Sequence, residues 1–152
     1  MSTKEYKLNI DPAILELLGP SLYTNIYYII AELIANAYDA DAHNVYVIDK
    51  KDSIVVEDDG KGMSYTDGDI DKYLNVARVS RKSKEDEVTD LGRKKMGRKG
   101  VGKLAALSVS ENVLVKTIVN TEKSGFVLSR KVNEDKLLQP IEEEKILFDK
   151  ID

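Results

Sequence analysis

Glu32-Leu33-Ile34-Ala35-Asn36-Ala37-Tyr38-Asp39 places a carboxylate, an amide and a second carboxylate at spacings of four and three residues within an otherwise apolar run. On an α-helix such spacings stack side chains along one stripe. Ile26, Ile29, Ile30, Leu33, Ile34, Ala35 and Ala37 predict a helix capped by Ser21, running to about Tyr38, apolar nearly all round and therefore buried. A solvated face would also give a polar stripe; on a buried helix, acids have a partner or a chemical task.

Outward from this helix, Asp11-Pro12 supplies an N-cap and a first-turn proline for a short helix through Leu18, ended by Gly19-Pro20. Downstream, Asn44–Asp49 alternates Val45 and Val47 with polar residues. It reads as a strand, turned by Lys50–Asp52 into a second strand over Ser53–Glu57, a hairpin. Asp58-Asp59-Gly60-Lys61-Gly62-Met63 must be a loop, because two glycines two apart resist both helix and strand. A helix over about Asp67–Val76 follows, with Ile70, Tyr73 and Leu74 inward. From Arg78 to Lys99 the apolar pattern stops and charges of both signs take over; long patternless loops of this kind are functional or disordered. Gly100–Leu107 regains a helical pattern, then Asn112–Val119 and Gly125–Val132 read as strands joined through Asn120–Ser124, with a weakly patterned polar remainder. Helices, hairpin, helix, loop, helix, strands is an α+β order, with an antiparallel or mixed sheet.

The whole chain bounds the chemistry. At 152 residues, 42% hydrophobic and 33% charged, it suffices for one core and one domain. With no Cys and one His, His43, disulfides and thiolate or histidine-rich metal sites are excluded, and a Ser-His-Asp triad is disfavoured. His43 sits in a polar turn and is expected at the surface. A net charge of -4 gives no general attraction to nucleic acid or anionic lipid. Neither an eighteen-residue apolar run nor an apolar leader is present, so the expectation is a cytoplasmic protein with no membrane role.

Two glycine-bearing segments carry further chemistry. Asp58 closes a strand, where its carboxylate can accept a hydrogen bond from an exocyclic amine and so prefer adenine to guanine, while Gly60 and Gly62 let a flat ligand approach the backbone. The segment also looks like an ordinary turn or a partial calcium loop, but lacks the regular acidic spacing and terminal glutamate of an EF-hand. Gly97-Arg-Lys-Gly100-Val101-Gly102-Lys103-Leu104 fits a P-loop for seven positions and fails at the eighth, where Leu104 offers no oxygen to magnesium. Its glycine spacing reverses the dinucleotide fingerprint. A glycine-rich turn opening a helix still presents free N–H groups and a positive dipole end to phosphates.

Taken together and in order, Glu32-x3-Asn36-x2-Asp39, Asp58-x-Gly60-x-Gly62 and Gly97-x2-Gly100-x-Gly102 resemble the GHKL ATPases, the family of gyrase-type topoisomerases, heat-shock chaperones, histidine kinases and MutL-type repair proteins, with the related MORC ATPases. The resemblance covers about Leu22–Thr117. It implies a Bergerat-type two-layer sandwich, a mixed β-sheet covered on one face by helices, with Arg78–Lys99 as a mobile ATP lid. It also implies ATP and Mg²⁺ as cofactors. Glu32 becomes the base that activates water, and Asn36 the magnesium ligand. Asp39 lies near the nucleotide phosphates and Asp58 accepts the adenine amino group. Gly60, Gly62 and Met63 line the base pocket, while Gly97, Gly100, Val101, Gly102 and Lys103 face the phosphates.

Histidine kinases carry Asn where this chain has Glu32, so the resemblance favours the hydrolysing branches over kinase activity. The short link after Asp39 looks MutL-like, whereas the second glycine box is closer to the chaperones. The expectation is slow Mg-dependent ATP hydrolysis driving lid closure, and dimerisation or movement of a partner domain. The alternatives are a nucleotide-responsive module without turnover and a histidine-kinase-like domain. Residues 1–152 then form a truncated N-terminal module, with 1–20 as a leading segment. A homodimer, and a nucleic-acid or protein client bound through missing C-terminal domains, are expected of the whole protein. The family's late threonine and its phosphate lysine are not identifiable here. The lid's basic residues either neutralise ATP phosphates, contact a nucleic-acid backbone, or form a solvated loop.

Overall fold

Asn25, rather than a residue further upstream, starts the long helix: its side chain accepts the backbone N–H of Tyr27 at 2.9 Å, satisfying one of the orphan donors of a helix start. The structure, a computed structural model, describes residues 4–10, 25–75, 88–94, 106–132 and 134–151. Ser21, the Asp11–Leu18 helix, most of the Arg78–Lys99 segment and the glycine turn from Gly97 to Lys103 lie outside the described residues.

Helix α1 covers Ile26–Asp39. It is not buried all round, as the apolar sequence suggested. Ile29 and Ala37 are buried, whereas Tyr27 is 76%, Tyr28 65% and Ile34 41% exposed. Among the described elements α1 packs against β3 (Ser53–Asp58), so only the stripe through Ile29, Leu33 and Ala37 is turned inward. Glu32, Asn36 and Asp39 flank that stripe and are partly buried.

The expected hairpin forms. β2 (Val45–Lys50) pairs antiparallel with β3 from Val45↔Asp58 to Lys50↔Ser53, and Lys51-Asp52 makes the turn. A short helix α2 (Asp69–Leu74) then buries Ile70 and Leu74, with Tyr73 packed beside them. β4 (Asn112–Val119) turns into β5 (Glu122–Ser129) through Asn120-Thr121. This turn is tighter than the Asn120–Ser124 connection expected from composition. Asn120 takes φ +56°, which asparagine tolerates, and so permits a two-residue link.

Two strands escape sequence reading: β1 (Tyr6–Lys7) and β6 (Leu137–Pro140), which pair with each other and add to β5, giving the order β1-β6-β5-β4. Each is too short for alternation to stand out. Where one mixed sheet is expected, the described strands form antiparallel ladders, with one isolated parallel bridge, Asn9↔Asn75, beside them. Among the described residues there are two sheets, of four and two strands, and every ladder is antiparallel. Tight turns join β2 to β3 and β4 to β5, and such links make antiparallel neighbours. The α+β class stands. Its core gathers Tyr6, Leu8, Ile10, Ile70, Leu74, Leu107, Phe126, Leu128 and Leu138 on one face of the larger sheet. No described helix is long and apolar enough to cross a membrane.

Where the two sheets meet, contact runs through a loop rather than a ladder. Gly62 holds φ +72°, and a Cβ there would sit 2.3 Å from the Ile118 carbonyl oxygen of β4. Gly62→Ala is expected to cost about 2–3 kcal/mol of unfolding free energy, checked by urea denaturation, because it combines a left-handed backbone with a backbone clash.

Candidate functional site

Asp58 ends β3 beside the C-terminal turn of α1. One carboxylate oxygen accepts the N–H of Gly60 at 2.9 Å, an Asx-type bond that bends the chain sharply out of the strand. Burial pushes the Asp58 carboxyl above its ordinary range, and the neighbouring Asp59 adds to this while the Gly60 N–H opposes it. Asp59 has another task. Its carboxylate takes the N–H groups of His43 at 2.7 Å and Asn44 at 2.8 Å, and the Asn44 side-chain amide at 2.8 Å. These bonds, led by the Asn44 amide, hold it below the usual carboxylate range. Asp59 therefore staples the helix-to-strand connection and leaves Asp58 as the half-buried acid at the strand end. His43 is exposed, as expected.

The loop and the helix end are in direct contact. Lys61 N–H donates to the Ala40 carbonyl at 2.9 Å. A Cβ on Gly60 would lie 2.6 Å from that same oxygen and 2.9 Å from the Ala40 Cβ. Glycine is needed there for approach, whatever ligand is bound. The structure thus sets Ala40, which follows the last helical residue Asp39, against the loop after Asp58, with Asn36 one helical turn and Glu32 two turns back from Asp39.

On the far side, Met63 N–H donates to the Thr117 hydroxyl at 2.8 Å, and the Met63 side chain packs against the hydrophobic core. Glu122, at the start of β5, accepts the Tyr65 N–H at 2.6 Å and the hydroxyls of Ser64 at 3.1 Å and Thr66 at 2.7 Å. Bonds from Thr66 and Tyr65, in that order, lower the Glu122 carboxyl below its ordinary range. Thr117 and Glu122 escaped sequence reading because a lone threonine in a strand and a lone glutamate after a turn carry no local signal. Replacing Thr117 with valine would strand the Met63 N–H. The expected loss is about 1–3 kcal/mol in urea melts, with Thr117→Ser retaining most of the stability. An equal loss in both variants would assign the effect to packing instead.

β3 is also tied to the C-terminal segment. Buried Glu57 accepts the N–H groups of Asp149 at 2.5 Å and Lys150 at 2.7 Å, and Lys50 pairs with Asp149 at 2.7 Å. Beside these bonds an open cavity of about 340 Å³ is lined by Tyr46, Asp59, Gly60, Ile118, Asn120, Lys150 and Ile151. Asp58, Asn36 and Glu32 are not among its walls.

The donor set can be weighed against ATP and magnesium. Among the described residues no three acidic or histidine side chains gather closely enough to hold a metal ion by themselves. Magnesium, which keeps several waters and binds largely through nucleotide phosphates, asks for no such cage, and a single amide oxygen such as that of Asn36 suits it. A half-buried carboxylate at the end of a strand suits the exocyclic amine of an adenine ring.

This architecture belongs to a known class. Residues 23–152 match the family described as histidine kinase-, DNA gyrase B-, and HSP90-like ATPase, and the chain belongs to that family. Its members bind ATP, which makes this an ATP-binding domain by descent. A relative described as "Putative type II restriction enzyme HgiDII", from Herpetosiphon aurantiacus, is 34% identical over 130 residues, 86% of this chain. The chain spans 21% of that relative's length.

Proposed function

We propose that the domain binds ATP with Mg²⁺ and hydrolyses it slowly, using the α1 stripe and the Asp58 loop as two walls of one site. The observation that carries this reading is the half-buried Asp58 carboxylate held beside the C-terminal turn of the helix bearing Glu32, Asn36 and Asp39. Asp58 accepts the adenine amino group, with Gly60, Gly62 and Met63 around the base. Asn36 is the protein ligand of magnesium, which neutralises phosphate charge when bound. Asp39 lies near the phosphates, and the turn from Gly97 through Gly100, Val101 and Gly102 to Lys103 offers them N–H groups. Glu32 takes a proton from water as its oxygen attacks the γ-phosphorus and ADP departs with the electrons of the broken P–O bond.

Within a longer protein, nucleotide-driven lid closure would power dimerisation or the movement of a neighbouring domain. The Bergerat sandwich, with Arg78–Lys99 as the lid, is the architecture this reading needs. Kinship with a protein described as a restriction enzyme favours a nucleic-acid client reached through other parts of the protein, and a MutL- or MORC-like branch. Equilibrium binding of ATP–Mg²⁺ against GTP–Mg²⁺ tests the reading. Clear preference for ATP is expected, and equal affinity for both, or none for either, overturns it.

A further inference from the structure

We propose that Arg93 is a positioning residue of the Asp58 site, acting through the helix-to-strand turn Tyr38–Ala42; the proposal rests on the ATP-site reading above. The segment Val88–Lys94 closes on itself through the Val88↔Lys94 bridge, with Thr89 N–H donating to the Arg93 carbonyl at 2.9 Å and Gly92 N–H to the Thr89 carbonyl at 2.9 Å. Thr89, Leu91 and Arg93 of this segment reach the end of α1 and the turn after it. Arg93 Nη1 donates to the carbonyls of Tyr38 at 3.1 Å and Ala42 at 2.8 Å, and the guanidinium lies 4.7 Å from the centre of the Tyr38 ring. A planar cation suits this place, since it covers two carbonyls at the negative end of the helix and stacks on an aromatic face.

The turn it holds needs holding. Asp41 stands at φ +62°, a left-handed conformation that non-glycine residues adopt at a cost. Its carboxylate is fixed from the same segment, by the Thr89 hydroxyl and by Leu91 N–H at 3.2 Å. Thr89 is itself buried and its oxygen accepts the Arg93 N–H at 3.1 Å. Lys61 and Asp90, at 3.9 Å and both exposed, add little.

The opposite side of the turn meets the nucleotide loop. Ala40 offers its carbonyl to Lys61 N–H and its surface to Gly60, whose N–H in turn fixes the Asp58 carboxylate. Force on the turn is thereby passed through three consecutive contacts, from Arg93 to Tyr38 and Ala42, from Ala40 to Gly60 and Lys61, and from Gly60 to Asp58. Arg93 falls within the basic stretch expected to meet phosphate. Here its guanidinium is engaged with protein carbonyls instead.

Hydrogen exchange of the Lys61 amide and ATP–Mg²⁺ affinity, measured on Arg93→Ala, Arg93→Lys and Thr89→Val, test this. Amides of the β4–β5 ladder serve as the control for general loosening. Arg93→Ala is expected to speed Lys61 exchange and weaken ATP binding about fivefold or more, leaving the ladder protected; Arg93→Lys, which keeps the charge and one donor, recovers part of both. Unchanged Lys61 exchange in Arg93→Ala, or faster exchange with unaltered ATP affinity, overturns the proposal. Should Arg93→Ala fail to fold, Thr89→Val decides on the same criteria. If the unsubstituted protein binds no ATP, the site reading falls and the positioning role with it, while the exchange result separately reports whether Arg93 holds the turn.

Discussion

Replacing Glu32 with alanine is expected to leave ATP–Mg²⁺ binding nearly intact while lowering hydrolysis by about 10²–10⁴-fold, the usual contribution of a positioned general base. Glu32 is partly buried on the flank of α1, two turns from the helix end that touches the Asp58 loop. In the proposed division of labour Asp58, at the end of β3 beside the helix terminus, binds the base, and Glu32, on the helix itself, activates water. Single-turnover hydrolysis and nucleotide binding in the intact protein check it. Wild-type turnover in Glu32→Ala would remove Glu32 from the chemistry. Binding without turnover in the unsubstituted protein would favour the rival reading, a nucleotide-responsive module.

Asp58→Asn is expected to weaken ATP binding by roughly 10- to 150-fold, the equivalent of about 1.5–3 kcal/mol for a hydrogen bond to a charged acceptor. Preference for ATP over GTP should shrink with it, because the asparagine amide can turn either a donor or an acceptor to the base. The unliganded fold should respond in the opposite direction. Burial raises the Asp58 pKa in the folded state above its unfolded value of 3.8. Its contribution to stability is therefore fully present below 3.8 and lost as pH rises through the raised folded value. At neutral pH the ionised Asp58 is a cost to the fold. Asparagine removes that charge and still accepts the Gly60 N–H, so Asp58→Asn should melt slightly higher than the unsubstituted protein while binding nucleotide worse. Thermal denaturation at pH 7 and at pH 4, beside ATP titrations, measures both sides. Lower stability of the variant at pH 7 would contradict the burial argument. In the unsubstituted protein, ATP affinity should begin to fall on acidification at a higher pH than an ordinary aspartate would give, since the carboxylate is the stronger acceptor of the amine.

Much of the fold was legible because it rests on local rules. The β2–β3 hairpin followed from alternation around a polar turn, and the inward face of α2 from the spacing of Ile70, Tyr73 and Leu74. The glycine loop followed from Gly60 and Gly62, whose structural need proved to be close backbone approach to Ala40 and Ile118. What misled was inference from apolar content alone. Ile26 and Ile34, with the other apolar residues of the run, suggested a helix buried all round, yet both are exposed, because burial depends on what packs against each face. β1 and β6 were invisible because each is too short to show alternation and because they pair with each other from opposite ends of the chain, and so was the division into two sheets.

The sequence by itself determined the family and the order of its motifs, because Glu32, Asn36, Asp39, Asp58 and the glycines recur at fixed short spacings imposed by helix periodicity and tight turns. Tertiary structure alone decided which of two adjacent acids is half-buried at the strand end and which staples a turn, since Asp58 and Asp59 differ only in what surrounds them. It likewise decided that Thr117, Glu122 and Arg93 reach the loop and its supporting turn. Their hydrogen bonds to that loop and turn span 51 to 58 residues of chain, as in Glu122 to Tyr65, 57 apart, and Arg93 to Ala42, 51 apart, and no periodicity within a segment can encode a partner at that distance.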